Sequence, residues 1–87
     1  MYRVNTSNTI TDEFNFNDYQ KYYTTHDEMR DWCRTTFGKG YDKKAKSWLW
    51  KSRITVATDI PCHHWAERTV FYFAKEEHAT WFLLKWP

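Results

Sequence analysis

Aromatic side chains decide what this chain can fold into. It carries six Trp, six Tyr and six Phe, whereas Leu, Ile and Val are scarce. A chain of 87 residues allows one domain and buries only part of its surface. Each aromatic ring hides a large area at modest entropic cost. The rings must therefore supply most of the core, and stability has first claim on them. With two Gly and two Pro, the chain has little room for long flexible loops. No internal repeat, low-complexity tract or linker interrupts it.

The net charge is +2, neither disordered-like nor strongly basic. Its distribution is uneven. Residues 1–20 set Arg3 against Asp12, Glu13 and Asp18. Residues 39–53 set Lys39, Lys43, Lys44, Lys46, Lys51 and Arg53 against Asp42 alone. No apolar run approaches the roughly 20 residues needed to span a bilayer, so a membrane partner is not expected. The opening residues, Met1 to Thr6, lack the apolar core of a signal peptide. The expectation is an intracellular protein with Cys33 and Cys62 both reduced, since two Cys are too few for a disulfide framework. Without export, the Asn5-Thr6-Ser7 glycosylation sequon reads as chance.

The hydrophobic pattern predicts an α+β fold. Tyr2 to Val4 can open a strand, and Asn5 to Asn8 is turn-like. Phe14 and Phe16 alternate with Asn15 and Asn17, which suggests a second strand over 13–19. Thr25-His26-Asp27-Glu28 matches a capping box. A helix from there places Met29, Trp32, Cys33, Thr36 and Phe37 on one stripe, with Gly38 closing it in a left-handed conformation. After a basic loop from Gly38 to Lys46, a strand is expected over 47–57. It puts Trp48, Trp50, Ile54 and Val56 on one face and Lys51, Arg53 and Thr55 on the other. Thr58 to Pro61 reads as a turn. Trp65 to Ala74 forms another strand, with Phe71 and Phe73 on one face and Arg68, Val70 and Tyr72 on the other. Two strands joined this closely pair antiparallel. A closing helix, acidic at Glu76 and Glu77, places Ala79, Phe82, Leu83 and Trp86 on one face. The simplest assembly is a two-layer sandwich, an antiparallel sheet of three to four strands with both helices on one face. The other face is then polar and carries Lys51, Arg53, Arg68 and Tyr72.

Catalytic and cofactor chemistry finds little here. Cys62-His63-His64, with Cys33, His26 and His78 elsewhere, offers zinc-ligand types. A structural site needs spaced pairs, and adjacent His side chains diverge, so a solvated loop is expected instead. Either Cys could pair with a His as nucleophile and base, but nothing supplies an orienting group or an oxyanion hole. Glu76 and Glu77 read as helix-start charges. There is no P-loop, G-x-G-x-x-G or H-E-x-x-H motif. No catalytic residue, metal or cofactor is assigned.

Two surfaces remain. The basic segment, with Lys39, Tyr41, Lys43, Lys44 and Lys46, leads into Lys51 and Arg53. With Arg68 and Tyr72 these could neutralise phosphates and stack on unpaired bases. The plain alternative is a solvated loop beside a polar sheet face. The second surface is aromatic. Trp81, Leu84 and Trp86 exceed what one helical stripe requires, and Trp is enriched at interface hot spots. The plain alternative here is core.

Phe71-Tyr72-Phe73-Ala74-Lys75-Glu76-Glu77-His78-Ala79-Thr80-Trp81-Phe82-Leu83-Leu84-Lys85-Trp86 resembles the ending of many small accessory proteins of tailed bacteriophages. There an F-x-F strand runs into a short helix ending F-x-L-x-W. Met29 to Gly38 is similar to a helix of the same kind of protein. Together the two stretches cover roughly a third of the chain. The resemblance implies viral origin and a small α+β fold, with no assigned activity and no functional residue carried over.

The leading expectation is a non-enzymatic, phage-encoded protein that binds and modulates a host protein, or itself, in the host cytoplasm through Trp81, Leu84 and Trp86. The alternatives are a nucleic-acid binder using segment 39–53 and the polar sheet face, and a minor virion component.

Overall fold

The computed structural model of the protein describes residues 1–40, 48–60 and 64–87. Five elements follow in order: β1 (Tyr2–Thr11), α1 (Phe16–Phe37), β2 (Trp50–Val56), β3 (Ala66–Phe73) and α2 (Glu76–Lys85). The strands form one antiparallel sheet in the order β1-β3-β2. This is the expected α+β arrangement, at the lower of the two strand numbers. β3 takes the centre because both of its faces can be buried. Thr69, Val70, Phe71 and Phe73 are all fully shielded from solvent.

The core is aromatic, as the composition requires. Phe82 of α2 lies 4.6 Å from Phe71 and 5.3 Å from Phe73, ring centre to ring centre. Met29 and Cys33 of α1, Val4 of β1, Trp50 of β2 and Ala79 of α2 join the same buried cluster. Trp32, Phe37 and Trp86 pack against it. Both helices thus deliver side chains to the cluster built on Phe71 and Phe73. Trp50 also satisfies its indole, donating from Nε1 to the Gly38 carbonyl at 2.9 Å. Gly40 lies so close to this ring that an added Cβ would sit 3.3 Å from it.

The N-terminal third departs from expectation. No strand forms over 13–19. That segment turns, and α1 begins at Phe16, nine residues before the Thr25 capping box. Asn15 caps it instead. Its Oδ1 accepts from the Asp18 amide at 2.9 Å, and Asp18 Oδ2 accepts from the Asn15 amide at 3.3 Å. This reciprocal pair satisfies two otherwise orphaned donors, so the Asn that weakened the strand reading marks a helix start. Thr25 to Glu28 lie inside the helix. Tyr22, His26, Met29 and Cys33 form its buried stripe, at i, i+4, i+7 and i+11. Gly38 ends the helix with φ 91° and ψ −162°, a positive φ that Gly accepts freely. Its ψ is extended, so the expected left-handed helical cap does not form.

β1 is longer than expected. Asn5 to Asn8, read as a turn, is an irregularity inside one strand. Asn5 opposes Val70 and Thr9 opposes Arg68, so four steps of β1 face two of β3. Side chains close the resulting gap. Thr6 Oγ1 donates to the Thr69 carbonyl at 2.7 Å, and Asn8 Nδ2 donates to the Tyr22 carbonyl at 3.0 Å. β2 starts at Trp50, so Trp48 is not in the strand and does not share its apolar face as expected. Val56, at 68 % exposure, contributes nothing to the core.

The two candidate helix starts separate by mutation. Asn15→Ala is expected to cost about 1 kcal/mol. Thr25→Ala, inside a helix where Ala is the better former, is expected to change stability little. Urea unfolding of both variants checks this, and a larger loss at Thr25 would put the start back at residue 25.

Candidate functional site

Alternation along β3 puts buried Thr69 on the same face as Phe71 and Phe73, which join the aromatic cluster, and sends Arg68, Val70 and Tyr72 to the opposite face. Antiparallel pairing then fixes their neighbours, because directly opposed residues share a face. Three rows result: Arg3–Tyr72–Lys51, Asn5–Val70–Arg53 and Thr9–Arg68–Thr55. Of the residues predicted for a nucleic-acid surface, the fold therefore brings Lys51, Arg53, Arg68 and Tyr72 together. Lys43, Lys44 and Lys46 lie outside the described residues, as do Tyr41, Cys62 and His63.

The face is held together by cation–aromatic contacts. Lys51 Nζ sits 4.9 Å from the Trp48 ring centre and 5.5 Å from that of Tyr72. Arg3 Cζ lies 5.9 Å from the Tyr72 ring. A cation near an aromatic face is attracted by the ring quadrupole. Here the arrangement spaces Arg3 and Lys51 across β3, with roots about 10 Å apart at two strand spacings. Arg3 Nε also donates to Asn5 Oδ1 at 2.9 Å. Val70, expected on a polar face, is nonetheless fully buried. Arg53 across the strands and Arg68 along β3 carry long stems, which can cover apolar surface while their charged heads reach water.

Arg68 is the exception among the cations. It grips Asp59 with both terminal nitrogens, at 2.8 and 3.0 Å. Those hydrogen bonds hold the exposed Asp59 carboxyl below its ordinary pKa. The Nε of Arg68 is buried with no partner among the described residues. A depression of about 270 Å³ lies here, lined by Arg3, Asn5, Thr55, Thr58, Asp59 and Arg68. Among the described residues, the positions opposite Arg3, Lys51 and Arg53 are Tyr72 and Val70, neither of them a carboxylate. The tyrosine ring is flanked by Arg3 on its β1 side and Lys51 on its β2 side. The geometry suits contact with anions better than stacking of a base on Tyr72.

The predicted aromatic surface divides. Trp81 is 50 % exposed and Leu84 78 % exposed. Trp86 instead packs against the core, with its indole nitrogen buried. It is no part of a surface with the other two. Trp81 leans towards α1, its ring centre 6.1 Å from Phe37 and 5.7 Å from His78.

Sequence reasoning missed three things. Arg3 was legible, since it alternates with Tyr2 and Val4, but it was never paired with β3. Trp48 was assigned to the apolar side. A chain of exposed rings, Trp65–Phe14–Tyr19–Tyr23, steps at 5.8, 5.7 and 4.8 Å. Its Tyr19–Tyr23 step is an i,i+4 helical pair, visible only once the helix starts at Phe16.

Among the described residues no three His, Cys, Asp or Glu side chains converge to hold a metal ion. Burial pushes the Cys33 thiol up to about 12, which leaves it protonated and poorly nucleophilic at neutral pH. No helix among the described residues is long and apolar enough to cross a membrane. No protein-family model, curated protein or solved structure matches the chain.

His26 ties α1 to the back of this sheet, with Nε2 3.3 Å from Ser52 Oγ and its ring edge-on to Phe71. Burial, then the charge of Arg30, lowers its pKa, with Asp27 opposing. The unfolded chain therefore binds this proton more readily than the folded one. Its contribution is complete above the unfolded value near 6.5 and is lost as pH falls through that value towards the lower folded one. Thermal melts should show Tm falling as pH drops below about 6.5, and His26→Gln should flatten that limb. An unchanged limb in the variant would assign the effect elsewhere.

Proposed function

We propose that this chain is a binding protein whose working surface is the cationic sheet face, and that its partner is nucleic acid held through its phosphates. The observation that carries this reading is the row geometry. Arg3, Lys51 and Arg53 stand on one face with Arg68, around Tyr72 and the buried Val70. Asp59 is occupied by Arg68. Cations grouped this way release condensed counterions when they meet a polyphosphate. Their chemistry is sequence-independent, so the protein would follow the backbone and leave the bases unread. Tyr72 serves to space the cations. Trp48, half-buried beside Lys51, is the ring better placed to meet an unpaired base.

A second reading is favoured by a separate observation. The exposure of Trp81 and Leu84 supports docking of α2 on a protein, without Trp86. From the resemblance of the closing segment alone, we add that the setting is the cytoplasm of a phage-infected host.

Fluorescence anisotropy with a labelled oligothymidylate tests the first reading. Three phosphate contacts at about 0.7 each predict a slope near −2 for log affinity against log salt. The triple variant Arg3→Ala, Lys51→Ala, Arg53→Ala should bring that slope towards zero while the fold persists by circular dichroism. Binding that ignores salt, or that survives the triple variant unchanged, would remove the sheet face from the account.

A further inference from the structure

The outward stripe of α2 is acidic at one end and basic at the other. Ala79 and Phe82 turn into the core, together with His78. The exposed side of the helix carries Glu77, Trp81 and Leu84, at i, i+4 and i+7, with the half-exposed Leu83 beside them and Lys85 at the border, its Nζ 5.6 Å from the Trp86 ring centre. The first turn is acidic at Glu76 and Glu77, and the last turn is basic at Lys85. Apolar surface lies between opposite charges placed four residues to either side of Trp81.

We propose that this stripe pairs with a second copy of itself, α2 against α2 about a twofold axis passing beside Trp81. Antiparallel placement sets Glu77 of one copy against Lys85 of the other, twice. Trp81 meets Trp81 at the centre, and each Leu84 fills in beside the partner's first turn. The helix dipoles run antiparallel, so each positive end approaches a negative one. A twofold contact needs a self-complementary patch, and charge order supplies one. A parallel pairing would set Glu against Glu and Lys against Lys. The charge order thus matches a second copy of α2 in the antiparallel placement.

The size of the contact sets its strength. A ten-residue helix is about 15 Å long, so the interface falls short of the roughly 1,200 Å² typical of stable complexes. The dimer is therefore a weak one in rapid exchange, formed as concentration rises. It rests on α2 alone and does not depend on the nucleic-acid reading. If both hold, pairing joins two cationic faces into one bivalent particle.

Sedimentation velocity on nuclease-treated protein, from micromolar to millimolar concentration, tests the proposal. The expected result is a concentration-dependent shift of the average mass from monomer towards dimer. Leu84→Glu, at a position already open to solvent, should abolish the shift. Glu77→Lys or Lys85→Glu alone should weaken association by about tenfold, since each reverses two symmetry-related pairs. The double swap Glu77→Lys, Lys85→Glu should restore it. Circular dichroism checks that every variant is folded. A chain that stays monomeric throughout would overturn the proposal and leave the face to a different protein. So would association untouched by Leu84→Glu, or singles that weaken it with no recovery in the double swap.

Discussion

The seat of Phe82 between Phe71 and Phe73 is the contact on which the rest of the structure depends. It joins the last element of the chain to the central strand. Through Trp32, whose ring lies 6.0 Å from Phe82, it reaches α1 as well. A fully buried Phe contributes roughly 2–3 kcal/mol, against a net stability of about 5–15 kcal/mol for a whole domain. In a chain this short, three such rings account for a large share of the margin. β3 can hold two of them because it is paired on both sides, which satisfies its backbone while its side chains are taken out of water. The same pairing determines the geometry of the candidate surface. Burying Phe71 and Phe73 on one face leaves Arg68, Val70 and Tyr72 on the other, and the register then brings up Arg3, Lys51 and Arg53.

The parts of the fold legible in the sequence are those where one periodicity had no rival. β3 announced itself through Phe71 and Phe73 in alternation, and its turn into α2 through Lys75, Glu76 and Glu77. The buried stripe of α1 was read correctly from Met29 to Cys33. Its beginning was not, because Phe14-Asn15-Phe16-Asn17 alternates as a strand does. Both Phe side chains prove exposed, so the alternation described no buried face. What decided the segment was a short-range hydrogen-bond exchange between Asn15 and Asp18, which apolar spacing does not reveal. Asn5 to Asn8 misled for a related reason. Polar residues usually mark a turn, but Thr6 and Asn8 use their side chains to repair a bulge within β1. That repair depends on Thr69 and Tyr22, 63 and 14 residues away in sequence.

The candidate surfaces were legible to different degrees. Lys51, Arg53, Arg68 and Tyr72 were placed together by strand alternation alone, which is a local rule. Arg3 required the strand order, since only a β1-β3-β2 sheet sets it across Tyr72 from Lys51. The division of Trp81 and Leu84 from Trp86 required the end of α2. Trp86 follows the last helical residue, where the chain leaves the helical path, and its indole can fold back on the core.

The cationic face avoids the worst arrangement of its charges. Like charges directly opposite on paired strands destabilise a sheet by a few tenths to about 1 kcal/mol per pair, and the register sets no two of these cations directly opposite. A surface shaped only for solubility intersperses the two signs. Here Arg3 and Lys51 are separated by an aromatic ring that attracts both, and Arg68 is neutralised by Asp59. These contacts reduce the repulsion without removing the charge, because a ring cancels none of it. An acidic side chain at Tyr72 would relieve Arg3 and Lys51 together, and one at Asn5 would relieve Arg53 across Val70. Neither position carries one. The face therefore keeps a positive potential although Tyr72 and Asn5, which share rows with its cations, could each hold a carboxylate.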